Sequence, residues 1–155
     1  SHIIIVDTSD EENLAGTPGA DICGLSINCD DDISTAASAT SEAGMGEICT
    51  EEGEDCSANR HDAAAVQDDG MACEASSAPE SDYMSLGMGG WVSAAFEGDI
   101  NGCSLEVVEL EGADAESYTV YACIGHSDDP AQDDNCVDIG SAEAGGSFEG
   151  TIPLE

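Results

Sequence analysis

The sequence predicts an all-β fold, a jelly-roll-type β-sandwich whose long loops are held by disulfides. Short β-branched or alternating apolar runs recur about every 10–15 residues in the second half, separated by turns rich in glycine, asparagine and aspartate. No stretch has the length and apolar periodicity of a long helix. Because 41% of the residues are apolar, the chain is unlike disordered acidic proteins. We therefore expect one domain over residues 1–155.

The first half is predicted to contain two strands and a long loop region. Residues 1–6 include four consecutive β-branched side chains, which are typical of a strand buried on both faces. A second strand is expected at residues 21–27, before an aspartate turn at residues 30–32. Residues 42–82 carry few large apolar groups, so we expect long loops with at most one helical turn, near residues 62–66.

The second half is predicted to supply the remaining strands. Near-alternation after the Asn101-Gly102 turn points Leu105, Val107 and Leu110 towards the core. The expected strands are residues 91–96, 104–110, 118–124, 137–139 and 147–152.

Charge is the most unusual property of the composition. Thirty-five acidic residues stand against one basic residue, Arg60, which gives a formal net charge of -34. Nucleic acid is excluded as a partner, since its binding requires Lys and Arg, and anionic membrane surfaces are excluded for the same reason. No apolar run approaches the ~20 residues that span a bilayer. We expect an external cation to offset the self-repulsion.

Eight cysteines without the spacing of zinc or redox motifs predict four disulfides and an oxidising compartment. The chain begins with Ser1, and we interpret it as the processed form of an extracellular or cell-surface protein. Short spacings favour three local pairs and leave a fourth, although eight cysteines allow 105 connectivities. The favoured pairs are Cys23–Cys29, Cys49–Cys56, Cys123–Cys136 and Cys73–Cys103.

Three segments, residues 62–70, 83–96 and 99–110, follow one another in a familiar order. The glycine-rich Ser-Leu-Gly-Met-Gly-Gly at residues 85–90 is the distinctive part. Together they resemble the discoidin-like, galactose-binding-like jelly-roll domains of exported bacterial surface proteins, over roughly residues 60–152. The resemblance implies a jelly-roll sandwich, often a structural calcium near the N-terminal turn, and sometimes glycan binding at loop tips. Asn101 and the cysteines depart from the family pattern.

Calcium is the cofactor that the carboxylates favour, because it takes 6–8 oxygen ligands in irregular geometry. No EF-hand loop occurs, so a site has to be assembled from several loops. A solvated acidic surface is the alternative for each cluster. The leading ligand candidates are Asp68, Asp69, Asp128, Asp129, Asp133 and Asp134.

Catalysis and sugar stacking have little support in the sequence. No Gly-x-Ser-x-Gly elbow is present, and carboxylate pairs arise by chance among 35 acids, so we do not expect an enzyme. Aromatic residues make up only 4% of the chain, and Trp91 lies in an apolar run. Core packing is therefore preferred for Trp91 over a sugar-stacking platform, and His126 is read as a surface residue.

The apolar run of Ile3, Ile4, Ile5 and Val6 has two interpretations. It is a central strand of its own sheet, or it inserts into the sheet of a neighbouring subunit. Head-to-tail insertion does not close on itself and builds filaments. We accordingly expect a secreted structural subunit of a filament or layer, a homopolymer stabilised by disulfides and calcium. The alternative is a carbohydrate-binding module that recognises glycans.

Overall fold

Ten strands and one short helix make up the fold in the computed structural model, which describes residues 1–10, 19–44, 62–71, 73, 82–110, 116–143 and 145–153. The strands are β1 (His2–Asp7), β2 (Asp21–Cys29), β3 (Asp32–Thr35), β4 (Ser38–Glu42), β5 (Met84–Ser85), β6 (Trp91–Ala95), β7 (Ser104–Glu109), β8 (Tyr118–Cys123), β9 (Cys136–Ala142) and β10 (Phe148–Thr151). A 3₁₀ helix spans Ala63–Gln67, as the sequence predicted for this turn.

The strands form two antiparallel sheets. Sheet I has the order β4-β6-β1-β8-β9, and sheet II has the order β10-β7-β2-β3, with β5 added against β2. Of the links between consecutive described strands, β2–β3 and β8–β9 stay within one sheet and the others cross between sheets. The prediction of an all-β sandwich is confirmed.

The core lies between the two sheets. In β1, Ile3 and Ile5 face the core, while Ile4 is buried on the opposite face of sheet I. The prediction that this strand is buried on both faces is confirmed. Leu105 and Val107 of β7 also face the core, as their alternation predicted.

Close backbone packing explains the glycine-rich segment at residues 85–90. A Cβ atom added at Gly90 would lie 1.9 Å from the carbonyl oxygen of Leu86, and one added at Gly44 would lie 2.4 Å from that of Met88. Carbon atoms cannot approach carbonyl oxygens so closely, so only glycine fits at these positions. The segment therefore carries a packing requirement.

Three disulfides join described residues, and they correct the predicted pairing. Cys123–Cys136 is confirmed, whereas Cys23 pairs with Cys73 and Cys29 pairs with Cys103. Cys23 and Cys29 both lie on β2, where six residues at about 3.3 Å each separate them by roughly 20 Å. A disulfide needs Cα atoms about 4.4–6.8 Å apart, so the predicted local pair cannot form. The predicted pair Cys49–Cys56 lies outside the described residues.

The Cys23–Cys73 bond fastens a loop to β2. The register of β2 against β7 shifts between Ile22 and Gly24, and the backbone of Gly24 bridges to Asp69 at this irregularity. The carbonyl oxygen of Asp68 accepts a hydrogen bond from Leu25 N–H at 3.0 Å. This part of the long loop region is thus packed directly on sheet II. Most of residues 42–82 lies outside the described residues.

Candidate functional site

β1 is the central strand of sheet I. It pairs with β6 on one side and with β8 on the other, so that Ile4 lies opposite both Ser93 and Tyr121. All six of its residues are in register with β8. The strand therefore exchanges main-chain hydrogen bonds along both edges, which is the arrangement of a central strand.

The carboxylate of Asp7 anchors the end of β1. Its Oδ1 accepts hydrogen bonds from Ser9 Oγ–H at 2.7 Å and Ala20 N–H at 2.9 Å, and its Oδ2 accepts one from Gly89 N–H at 3.0 Å. Asp7 is buried, and these donors compensate for its lost hydration. Sequence reasoning missed this role because Asp7 opens an acidic run that resembles a solvated loop.

An acidic pocket of about 210 Å³ lies beside the 3₁₀ helix. Asp62, Asp68 and Asp82 line it together with Cys23 and Gly70. Asp62 Oδ1 also caps the helix by accepting Ala64 N–H at 2.9 Å. Asp68, a predicted calcium ligand, thus lines a pocket together with two other carboxylates.

The neighbouring candidate, Asp69, does not line this pocket. Its Oδ1 accepts the N–H of Met71 at 3.0 Å, two residues further along the chain. This local hydrogen bond is the usual reason for aspartate in a turn. Asp68 Oδ1 likewise accepts Gly70 N–H, at 3.2 Å.

The other four predicted calcium ligands lie in the loop of residues 124–135. Asp133 Oδ1 accepts hydrogen bonds from the backbone and side-chain N–H groups of Asn135, both at 2.9 Å. The backbone N–H of Asn135 lowers the pKa of Asp133 most, and the side chains of Ser127 and Asn135 lower it further. Asp128, Asp129 and Asp134 are exposed. Within the described parts of the chain, no three His, Cys, Asp or Glu side chains are placed to hold one metal ion.

The same loop, which Cys123–Cys136 closes at its base, lies over the part of the outer face of sheet I around His2 and Trp91. The His126 ring lies 5.0 Å from the Trp91 ring, measured between centres. Trp91 is only partly buried and lies on this outer face, because the register of β6 turns Val92 and Ala94 to the core. The expectation that Trp91 packs in the core is therefore wrong.

Beneath the loop lie polar atoms as well as apolar ones. Ile4 is fully buried here, and Ser93 is 2% exposed. Ser93 Oγ and His2 Nδ1 are buried and have no hydrogen-bond partner in the described structure. Burial lowers the pKa of His2, and the positive charge of the first residue and of His126 lower it further.

The outer face of sheet II is open and polar beyond the part that Cys73, Tyr83 and Leu110 cover. Its groove of about 480 Å³ contains no aromatic side chain among the described residues, and Glu106 lies directly opposite Glu149 across β7 and β10. Ile33, with 66% of its surface exposed, stands at one side. The groove is lined by Ser26, Asn28, Ile33, Ser104, Leu105, Glu106, Glu149, Gly150 and Thr151.

Tyr118 marks a further buried polar contact, between β8 and the start of β10. Its hydroxyl donates a hydrogen bond to the carbonyl oxygen of Gly146 at 2.7 Å, and the N–H of Gly146 donates to Glu109 Oε2. Burial raises the pKa of Tyr118 well above its usual value, and Glu109 raises it further. The contact holds the connection between β9 and β10 against the core.

These features define the class of the protein: a disulfide-bonded, acidic β-sandwich of a non-cytoplasmic, oxidising compartment. No helix in the described residues is long and apolar enough to cross a membrane. No family model matches the chain, and no curated protein or solved structure has significant similarity to it. The resemblance to discoidin-like domains accordingly remains a prediction.

Proposed function

We propose that the protein is a secreted structural subunit that polymerises into a filament or layer at or beyond the cell surface. The observation that carries the proposal is the position of β1 between β6 and β8 in sheet I. A strand paired along both edges has the same contacts whether it comes from its own chain or from a neighbour. When β1 leaves its own sheet, it loses these main-chain hydrogen bonds. The β1 strand of a neighbouring subunit then forms the same bonds in its place.

The connection between β1 and β2 is long enough for exchange. Residues 8–20 join the two strands, and a chain of this length extends to roughly 40 Å. A subunit that donates its β1 to one neighbour has a vacant position between its own β6 and β8. The β1 strand of another subunit fills that position. Such head-to-tail exchange does not close and produces a filament.

Subunits of net charge -34 repel one another, so assembly favours a bridging cation. Calcium is the ion that these carboxylates favour, because carboxylates and carbonyl oxygens are its preferred ligands. Asp62, Asp68 and Asp82 line one pocket, and their side chains have to move closer together to bind one ion, since no three described acidic side chains are already placed to do so. Bound calcium stabilises the loop that packs on β2 and reduces the repulsion between subunits.

Cross-linking tests the strand exchange directly. In the double variant Ile4→Cys/Ser93→Cys, the two new thiols lie directly opposite each other on β1 and β6. If β1 is donated, oxidation joins different chains, and non-reducing electrophoresis separates a ladder of covalent oligomers. Only a monomer band would contradict exchange, and a dimer band without a ladder would contradict the filament.

The double variant Thr119→Cys/Ser141→Cys is the matched control. These residues also face each other across two strands of sheet I, but both strands, β8 and β9, follow β1 and stay in one chain under the proposal. The control should give monomers only. Deleting residues 1–7 should abolish polymer growth in electron micrographs.

Calcium is tested by titration and by chelation. The Asp68→Asn/Asp82→Asn variant should lose calorimetric calcium binding, and the wild-type melting temperature should fall in EDTA. Asp31→Asn/Asp32→Asn, two exposed substitutions outside the pocket, removes the same two charges and controls for the change in net charge. Equal calcium affinity in the pocket variant and this control would exclude the pocket.

The groove on sheet II supports the second candidate, a carbohydrate-binding module. Hydroxyl, amide and carboxylate groups line it and can hydrogen-bond to sugar hydroxyls. A glycan array with wild type and Glu106→Gln/Glu149→Gln tests it. Binding that the variant loses favours a glycan-binding role, whereas an array without signal excludes it for the glycans tested.

A further inference from the structure

Two of the three histidines of the chain lie together on the outer face of sheet I. His2 begins β1, and His126 belongs to the loop of residues 124–135 that covers this face. Their ring centres are 6.4 Å apart, with an angle of 58° between the ring planes. Two positions remote in sequence thus bring the imidazole rings together next to Trp91.

Asp128 determines which nitrogen of His126 carries the proton. Its Oδ1 lies 2.9 Å from His126 Nε2, and an ionised carboxylate can only accept a hydrogen bond. Nε2 is therefore the protonated nitrogen of neutral His126, and Nδ1 keeps its lone pair. A carboxylate that holds the second nitrogen in this way is the usual companion of a metal-binding histidine.

The second imidazole also presents a nitrogen without a protein partner. His2 Nδ1 is buried and makes no hydrogen bond in the described structure. Ser93 Oγ is the other such side-chain atom among the described residues, and the register of β1 and β6 places Ser93 on the same face as His2. Buried polar atoms normally have partners, so two unpaired ones at one place indicate a ligand.

We propose that His2 and His126 bind a divalent first-row transition-metal ion, such as Zn²⁺ or Cu²⁺, through their Nδ1 atoms. A metal–nitrogen bond is about 2.0–2.1 Å long, so two imidazole rings on one ion have centres about 5 Å apart in tetrahedral geometry and about 6.4 Å apart when they lie trans. The observed separation of 6.4 Å matches the trans arrangement. Water completes the coordination shell. Asp128 acts as the positioning residue.

The choice of metal follows from the donor atoms. Imidazole nitrogen suits zinc, copper and nickel, whereas calcium and magnesium prefer oxygen. The site is therefore chemically distinct from the acidic pocket beside the 3₁₀ helix. An ion held by β1 and the covering loop also fastens that loop to the sheet.

Copper titration with fluorescence detection tests the site, because Trp91 is the sole tryptophan and lies next to His126. Bound Cu²⁺ quenches a nearby indole, and excess Mg²⁺ keeps the carboxylates elsewhere occupied. We expect quenching that saturates at one Cu²⁺ per chain and that Zn²⁺ reverses by competition. His126→Asn and His2→Asn should each raise the midpoint at least about tenfold.

Control variants distinguish copper binding by His2 and His126 from copper binding by other groups of the chain. His61→Asn, which changes the third histidine, should leave the midpoint unchanged. Asp128→Asn should raise the midpoint roughly tenfold, while the melting temperature of the metal-free protein stays the same. An acetylated amino terminus should not affect binding.

An unchanged midpoint in His126→Asn would overturn the proposal, and so would loss of binding on acetylation of the wild type, since the terminus would then be the ligand. If His2→Asn does not fold, His126→Asn decides alone, because His126 lies in an exposed part of the loop.

Discussion

The outer faces of the two sheets differ in what lies above them. On sheet I, the loop of residues 124–135 covers the surface, and Ile4 has no exposed area. On sheet II, the groove beside β3 and β10 is open, and Ile33 is 66% exposed there beside hydroxyl and carboxylate groups. Two isoleucines on outer strand faces thus have opposite environments.

The difference shows how a strongly acidic chain gains buried apolar surface. One disulfide, Cys123–Cys136, closes a loop over a sheet face, so sheet I buries residues on both sides. On sheet II, Cys73, Tyr83 and Leu110 cover one part of the outer face next to Val108, and the rest leaves a polar groove to solvent, as antiparallel sheets commonly do. The covered face is a structural element, and the open face is available for contacts.

Introducing a charge at the two isoleucines gives the largest expected contrast. Ile4→Asp buries an unpaired carboxylate and should destabilise the fold by about 3–5 kcal/mol, or prevent folding. Ile33→Asp makes the same change of charge in solvent and should alter stability by about 0.5 kcal/mol or less. Urea unfolding measures both variants. Equal losses would mean that the two faces do not differ in burial.

Removing the disulfide that closes the loop of residues 124–135 should have the next largest effect on stability. Replacing Cys123 and Cys136 with alanine removes a constraint on 13 residues of sequence and should cost about 3 kcal/mol. Trp91 emission should shift to the red as the loop leaves the face. The matched variant that lacks Cys29–Cys103 should lose stability without that shift, and an unshifted spectrum in the first variant would contradict the role of the loop as a cover.

Two tyrosines of β8 report the inner and outer sides of sheet I. Burial raises the pKa of both; Glu109 raises that of Tyr118 further, and Asp138 and Asp129 raise that of Tyr121. Because the folded values are raised, this stabilisation is complete below the unfolded pKa of about 10 and is lost as pH rises through the folded values. The melting temperature should therefore fall above pH 10.

Absorbance titration at alkaline pH separates the two tyrosines. Breaking Cys123–Cys136 should lower the pKa of Tyr121 towards its ordinary value, while Tyr118 keeps its raised pKa. Tyr118→Phe, in contrast, should reduce the alkaline loss of stability. A Tyr121 titration that is insensitive to the disulfide would contradict the covering of this face.

The smallest effect is expected on the open face. Glu106 and Glu149 lie directly opposite each other, and like charges in this position destabilise a sheet. Glu149→Gln should stabilise the fold by a few tenths of a kcal/mol, and the gain should shrink in high salt because the pair is exposed. Glu97→Gln removes the same charge from an exposed turn and serves as the control. A gain of equal size there would mean that net charge, and not the facing pair, is responsible.

Much of the fold could be predicted, because strands are encoded locally. The apolar run of β1 predicted the position of that strand and its burial on both faces, and the alternation of Leu105 and Val107 predicted both the position and the orientation of β7. Trp91 was misplaced because an apolar run without alternation does not define which side faces the core. The partners of Cys23 and Cys29 depend on how distant strands meet, which spacing along the chain does not contain.

The candidate sites were less predictable for the same reason. Asp68 was recognised as a possible ligand, but its pocket partners are Asp62, which caps the other end of the same helix, and Asp82, which comes from a separate segment. His2 and His126 meet only because β8 lies next to β1 and its loop folds back. A carboxylate such as Asp7 looks like any other acid of the chain until its donors are in place.

The position of β1 has a consequence for the order of folding. β1 lies between β6 and β8, which both follow it in the chain, so its two partners are complete only after residue 123 has been made. Its isoleucines have no complete sheet until then, and the pairing of β1 with β8 closes a very long loop. Such high contact order predicts slow folding. A chaperone that shields extended apolar segments should increase the yield of native protein.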